Sequence, residues 1–465
     1  MSPKWREGKD CSGGEGPLAP GVWPLLGHLP YLVTRPLDFL GSLPAYGDVV
    51  RVRMGPRTVH VVSEPALVRR VLTDHRGFDR DGVLYDKVRA VLGNGLATCP
   101  HAEHLWQRRT LQPAFHHRLM DRHTAVMAAE IRALTDRWRP GAVVDVTEEA
   151  FRLTTAVTLR ALFSAGLAPA AAEELRAALD VLLRAVYTRV VAPAVDLVPS
   201  PARRRYRRAL AVWHAGVGAL VAAHRAAGTD RDDALSLLLA ARDDLGRPLS
   251  DGELGDQAAT LVLAGAETTS SVVAWGLRLL ADHPGPRARL HAEADAVLDG
   301  RPPTGADLPR LPYAGDVVRE VLRLYPPAWA VARTAVRPVE LGPGVTVPAG
   351  GTVLCCLYLV HRRPDPHRDP ARFDPDRWSA GEVPREAFLP FGAGATKCLG
   401  EAFGTAEATL ALAAVAARWR LTPVSSRPPR PVPRLVLSPG PQRMLLTART
   451  GKPEGEREPE GRPAG

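Results

Sequence analysis

Cysteine is scarce in this chain, and long apolar runs are missing. Five cysteines (Cys11, Cys99, Cys355, Cys356 and Cys398) are spread over 465 residues. That is too few, and too irregular a spacing, for a disulfide framework. An odd count in a large chain points to a reducing compartment and one functional thiol. No uninterrupted apolar run reaches the ~18 residues of a transmembrane helix, and the stretch Leu25–Val33 is broken by Pro30. Met1 to Pro20 is polar and glycine-rich, without the apolar core of a signal peptide. The expectation is a soluble, cytoplasmic protein with no membrane insertion. Aromatics are only 6% of the residues. The apolar content leans on Ala, Leu and Val, and the helix-forming strength of Leu and Ala predicts a mainly α protein.

Charge of one sign is in modest excess: 60 Lys+Arg against 50 Asp+Glu, net +10. Most of the positive charge is Arg, clustered at Arg108–Arg109 and in Arg203, Arg204, Arg205, Arg207 and Arg208. Basic patches attract phosphates, but no recognition module or aromatic-interleaved basic stretch accompanies these, so nucleic acid is not an expected partner. Complementary charge sets encounter rate and orientation between proteins, which favours a docking face for an acidic protein, with solvated helix faces accounting for the remainder. Asp230-Arg231-Asp232-Asp233 superficially suggests a carboxylate metal site. Leu235, Leu237, Leu238 and Leu239 follow it as an apolar helical run, however, so it reads as a helix cap.

Composition and punctuation give one domain over 18–450, with disordered segments expected at 1–17 and 451–465. Val49–Met54 and Thr58–Val62 alternate about Gly55-Pro56 and predict a β-hairpin. Helical periodicity dominates from Pro65 to about Asp299. Short strands are expected over roughly 329–357, a Pro-rich irregular stretch over 361–397, and a last helix from about Leu399 to Trp419. Long irregular segments inside a compact domain tend to be functional. The longest helix signal opens at Ser250, which forms a capping box with Glu253, and closes at His283-Pro284. A helix of about 33 residues spans roughly 50 Å. Its middle, Ala259 to Ala266, is so apolar that it must cross the core.

The strongest motif is Phe391-Gly392-Ala393-Gly394-Ala395-Thr396-Lys397-Cys398-Leu399-Gly400. It sets a cysteine after a glycine-permissive loop and just before a helix. Backbone N–H groups and the helix dipole there favour a thiolate, and glycine lets the backbone approach a flat cofactor. A second motif, Ala264-Gly265-Ala266-Glu267-Thr268-Thr269, puts an acid and two hydroxyls inside the apolar helix, where polar groups are costly without a purpose or a partner. A Thr hydroxyl there can bond back to a helix carbonyl and bend the helix. A third, Glu320-Val321-Leu322-Arg323 before Leu324-Tyr325-Pro326-Pro327, places opposite charges on one helix face. His104 and Arg108 share another face, and Arg333 follows the third motif.

Together, in this order, these segments resemble the cytochrome P-450 superfamily over nearly the whole chain, with the N-terminal half similar to bacterial terpene hydroxylases of that family. The resemblance implies a mainly α fold with small β-sheets: a triangular helical prism whose long central helix crosses the core over haem. It implies haem b with Cys398 as thiolate and metal ligand, and O2 as co-substrate. Thr268 and Glu267 become the catalytic pair, Thr268 donating to the dioxygen under activation and Glu267 linking it to solvent protons. Phe391, Gly392 and Gly265 would border the cofactor, with Gly265 leaving room for it. His104, Arg108 and Arg333 would meet its propionates, and Arg377 would join Glu320 and Arg323 in a structural triad. The family's loop carries Arg or His two residues before the cysteine. Thr396 stands there instead, which predicts weakened haem retention.

The implied reaction is insertion of one oxygen atom into a C–H bond by a monomer. No redox domain is appended and no dinucleotide fingerprint is present, so ferredoxin and ferredoxin reductase would supply electrons, docking near Arg108–Arg109. Leu261-Val262-Leu263, Trp329-Ala330-Val331 and the Val83–Leu96 stretch are candidate pocket walls for a small apolar substrate. The resemblance favours a cyclic sesquiterpene, oxidised once or repeatedly; fatty acids, polyketides and steroids are the alternatives. A haem-binding sensor or carrier without oxygenase activity is the competing class, and it has no need of Glu267 or Thr268.

Overall fold

The computed structural model describes residues 16–164, 168–197, 199–226, 233–242 and 246–449. Most of the expected terminal segments, 1–17 and 451–465, and Asp230–Asp232 lie outside them. Asp233 is the residue that caps the following helix, accepting from the Ser236 N–H at 2.8 Å.

Eight helices matter for the site: α1 (Leu29–Thr34), α2 (His101–Leu111), α3 (Val146–Phe163), α4 (Pro169–Val191), α5 (Pro201–Ala226), α6 (Asp251–Asp282), α7 (Pro312–Leu324) and α8 (Glu401–Arg418). The capping box at the start of α6 forms as the sequence dictates. The Ser250 hydroxyl accepts from the Glu253 N–H at 3.3 Å, and the Glu253 carboxylate accepts from the Ser250 N–H at 2.8 Å. At the other end Pro284 opens the next helix, because its ring cannot continue α6. Between these limits α6 is buried at most positions from Gln257 to Leu280. It packs along α3, whose Thr154 hydroxyl donates to the Ala266 carbonyl at 2.6 Å. Trp275, fully buried, stacks on Tyr325 just beyond α7, ring centroids 3.6 Å apart.

The hairpin is strands β1 (Val49–Met54) and β2 (Arg57–Val62), paired from Val49↔Val62 to Met54↔Arg57. It extends into a five-stranded sheet with β3 (Phe78–Asp79), β5 (Val331–Ala335) and β6 (Thr352–Cys355), in the order β1-β2-β6-β5-β3. The β2–β6 pairing is parallel, from Val59↔Thr352 to Val62↔Cys355. A second sheet, unforeseen from sequence, orders β4 (Val143–Asp145), β8 (Arg443–Ala448) and β7 (Trp419–Pro423) as β4-β8-β7.

The irregular 361–397 segment is held by one buried carboxylate. Glu320 accepts from Arg323 at 2.9 and 2.7 Å, from Arg377 and the Trp378 indole at 3.1 Å each, and from the Asp374 N–H at 2.9 Å. Arg323 spends its remaining donors on the carbonyls of His361, Pro370 and Arg372. Glu320 and Arg323 are fully buried and Arg377 nearly so. A buried charge is tolerable only when paired and hydrogen-bonded throughout, and here the pairing fastens loop to core.

Candidate active site

The cysteine loop is a closed hairpin of backbone. The Cys398 N–H donates to the Phe391 carbonyl at 2.9 Å, and the Gly392 N–H to the Leu389 carbonyl at 3.0 Å. Gly392 and Gly394 sit at φ +74° and +68°, a region other residues enter at a cost. At Gly394 a Cβ would also press within 3.0 Å of Thr73. His361, fully buried, accepts the Leu389 N–H at 2.9 Å and anchors the loop's entry. Arg108 donates to the Lys397 carbonyl at 2.6 Å and anchors its exit, while Lys397 itself turns outward to pair with Glu401.

Cys398 keeps open surface although protein encloses it on most sides. Burial raises its thiol pKa, and the Gly400 N–H on the sulfur, Arg108 and Lys397 pull the other way. A cation such as iron would complete that reversal, since a coordinated thiol is deprotonated outright.

On the central helix, Ala264 is exposed in the middle of an otherwise buried stretch, the mark of a helix facing open space. The Thr268 hydroxyl donates back to the Ala264 carbonyl at 2.6 Å, and α6 continues as unbroken α-helix through the motif. Glu267 borders a cavity of about 300 Å³ whose lining includes Asp180, Arg184, Ser270 and Arg434. Burial pushes its carboxyl up to about 8, against the opposing pull of Arg434. At Gly265 a Cβ would come within 2.4 Å of the Thr158 hydroxyl on α3, so its missing side chain lets α6 pack closely on α3.

A cluster of basic side chains lies beside the loop. Arg80, His104 and Arg333 are all buried. Arg333 donates to the Tyr85 hydroxyl at 2.8 Å and to the Thr396 hydroxyl at 3.3 Å. Arg80 donates to the Leu96 carbonyl at 2.8 Å, and its Nε has no acceptor. Burial first, then Arg80 and Arg108, drive His104 down to about 3. Burial brings His101 to about 4 despite Asp79, 3.8 Å away. Both imidazoles are therefore uncharged, and the positive charge held out of water is that of Arg80 and Arg333, with Arg108 beside them; it calls for an anion. A dianion with two carboxylates, such as iron protoporphyrin, would meet that demand, with Arg80, Arg108 and Arg333 as the residues to hold its carboxylates and Cys398 as the ligand to its metal. Sequence reading missed Arg80 and His101. It also read Thr396 as a gap, whereas the Arg333 guanidinium reaches that position.

Of the candidate pocket walls, Leu261, Val262 and Leu263 are buried. Trp329 is committed to the core, its indole donating to the Arg434 carbonyl at 2.9 Å and its ring packing near Tyr187.

A family model described as cytochrome P450 matches residues 17–446. The chain is 44% identical to cyclooctatin synthase of Streptomyces melanosporofaciens, over 92% of this chain and 95% of that one. It is 41% identical to pentalenene oxygenase of Streptomyces avermitilis, over 93% and 97%. It is 44% identical to cyclooctat-9-en-7-ol 5-monooxygenase of S. melanosporofaciens, over 87% and 89%.

Proposed function

The chain belongs to the cytochrome P450 family and is a monooxygenase, and on that premise we propose that it oxidises a cyclic terpene, held between the central helix and the thiolate-bound haem. The observation that carries the substrate class is the near-full-length similarity to proteins named for pentalenene and cyclooctat-9-en-7-ol. A cyclic sesquiterpene is the substrate we put first.

When bound, haem supplies dioxygen activation and insertion of one oxygen atom into a C–H bond, the other leaving as water. The chain's own residues bind, orient and move protons. Cys398 would supply the thiolate ligand, its sulfur restrained by the Gly400 N–H. Arg80, His104, Arg108 and Arg333 would hold the propionates, the arginines through the guanidinium fork that suits carboxylates. Thr268 keeps its hydroxyl proton on the Ala264 carbonyl at rest, and rotation about the Cβ–Oγ bond would free that proton for a new acceptor. Glu267, whose carboxyl burial raises to about 8, would carry a proton between the solvent cavity and the helix interior.

Electrons arrive from a separate ferredoxin served by a ferredoxin reductase. Arg109 and Lys397 are exposed beside the Arg108 contact with the loop, a basic surface complementary to an acidic donor. Arg109→Glu should slow reduction and flatten its salt dependence; unchanged rates would remove this docking site.

The deciding experiment is spectroscopic. The reduced, CO-bound protein should show the red-shifted Soret band of thiolate ligation, lost in Cys398→Ser. A panel of cyclic terpenes should displace the resting haem spectrum where fatty acids and steroids do not. The reading fails if no terpene shifts the spectrum.

A further inference from the structure

The cavity beside Glu267 is lined by more hydrogen-bond donors than the chain itself satisfies. It measures about 300 Å³, and its exposed members Arg184 and Pro441 mark where it opens to solvent. That volume lies at the small end of ligand pockets, which run from roughly 300 to 1,000 Å³.

Three acids of the wall are already committed. Asp145 accepts the N–H groups of Thr147 and Gln442 at 3.0 Å each. Glu148 pairs with Arg152 at 3.0 Å and with Arg176 at 3.4 Å. Asp180 takes the guanidinium of Arg184, one turn along α4, through contacts of 2.8 and 2.9 Å.

Arg434 is left over. Its backbone carbonyl accepts the Trp329 indole, but its guanidinium makes no hydrogen bond among the described residues. Its ion pair there is a long 3.7 Å contact with Asp180, and its side chain is only 14% exposed. Two more donors line the same cavity. The Ser438 hydroxyl accepts the Gly440 N–H at 3.1 Å, and its own proton has no acceptor among the described residues. The Glu267 carboxyl has no hydrogen-bond partner there either. Burial raises it to about 8, so below that pH it too is chiefly a donor.

A guanidinium, a hydroxyl and a carboxylic acid around one space, each short of an acceptor, call for an oxygen-rich ligand. Water can fill the space, but it cannot neutralise a charge held largely out of bulk solvent. A planar pair of anionic oxygens matches the guanidinium fork.

We propose that this cavity binds a small organic carboxylate, held by Arg434 with Ser438 and Glu267 as further donors, and that its occupation keeps the proton on Glu267. An anion on Arg434 cancels the charge that favours ionised Glu267 and sets a like charge beside it. Occupancy and protonation therefore reinforce each other, and the coupling is reciprocal. The consequence for catalysis rests on the reading of Glu267 as proton carrier: a bound carboxylate slows turnover. The binding itself does not rest on it.

The test uses the full-length protein loaded with haem, so that the cluster of Arg80 and Arg333 is already engaged. Sodium acetate is titrated calorimetrically, with sodium chloride at equal ionic strength as the control. Acetate should bind at one site, and Arg434→Met should weaken it about tenfold or more, Arg434→Lys less. The Arg434 side chain gives up only a long contact, so both variants should fold, and an unchanged CO-bound spectrum checks it. At pH 8, acetate binding should draw in protons, read as heat that varies with the buffer. In Glu267→Gln, whose amide still donates, binding should persist without that uptake. Acetate heats no larger than those of chloride overturn the proposal. So does binding indifferent to Arg434→Met, or proton uptake undiminished in Glu267→Gln. Binding with proton uptake but unaltered product formation would leave the site standing and remove Glu267 from proton delivery.

Discussion

Replacing Glu320 by Gln tests whether one buried carboxylate holds the irregular 361–397 segment to the core. The change preserves shape and removes the charge. Glu320 accepts five hydrogen bonds, three of them from the guanidiniums of Arg323 and Arg377. Glutamine offers one acceptor oxygen, and its amide nitrogen would point donor to donor at a guanidinium. Breaking a buried pair by removing one partner costs about 3–5 kcal/mol, because the remaining charge is stranded. With about 2.1 cal/mol/K of unfolding entropy per residue, a chain of 465 residues unfolds with roughly 1 kcal/mol/K, so Tm should fall by about 3–5 °C. Haem should be lost before global unfolding, since the freed segment leads into the Cys398 loop. Calorimetry followed alongside haem absorbance measures both, and a cycle with Arg377→Met should show coupling of about 0.5–3 kcal/mol. A Glu320→Gln protein that melts within a degree of the parent, with the same haem retention, would refute the reasoning.

Glu267 has a folded pKa raised to about 8 from 4.5. The stability it contributes is therefore complete below about pH 4.5 and is lost as pH rises through about 8. Glu267→Gln should gain on the parent across that window, by about 1–3 kcal/mol after allowing for the cavity beside it; parallel stability curves from pH 5 to 9 would contradict the assignment. Thr396→Arg would press a second guanidinium on Arg333, so its rate of haem transfer to apomyoglobin should not fall, whereas Arg333→Met should release haem about tenfold faster. Slower release from Thr396→Arg would reinstate the reading of Thr396 as a gap. Gly265→Ala gains about 1 kcal/mol of helix propensity but overpacks Thr158 by about 1–3 kcal/mol. A net loss, relieved by Thr158→Ala, is expected in urea melts, and additive penalties would count against that contact.

What could be read from the sequence was local. Ser250, Glu253 and Pro284 delimit α6 because capping and ring sterics act within a turn. Gly55-Pro56 sets the hairpin, and the glycines around Cys398 mark their loop. What could not be read was tertiary. Arg80 enters the basic cluster beside β3, whose two residues carry no periodicity, and the Arg333–Thr396 hydrogen bond joins residues far apart in sequence. The close approach of Thr158 to Gly265 was equally out of reach, because a helix motif does not say which of its faces meets another helix. The β4-β8-β7 sheet escaped notice because β8 pairs with a strand some three hundred residues earlier.

The parallel pairing of β2 with β6 has a consequence for biosynthesis. The β1–β2 hairpin leaves the ribosome nearly three hundred residues before Thr352–Cys355 exists to cover its edge. At ~5–20 residues per second that edge stands open for roughly 15–60 s, a template for pairing with another nascent chain. Cys398 and the loop that would grip the haem come later still. Cofactor capture is therefore a closing event of synthesis, and a polypeptide stalled short of β6 holds both an open edge and half of a binding site.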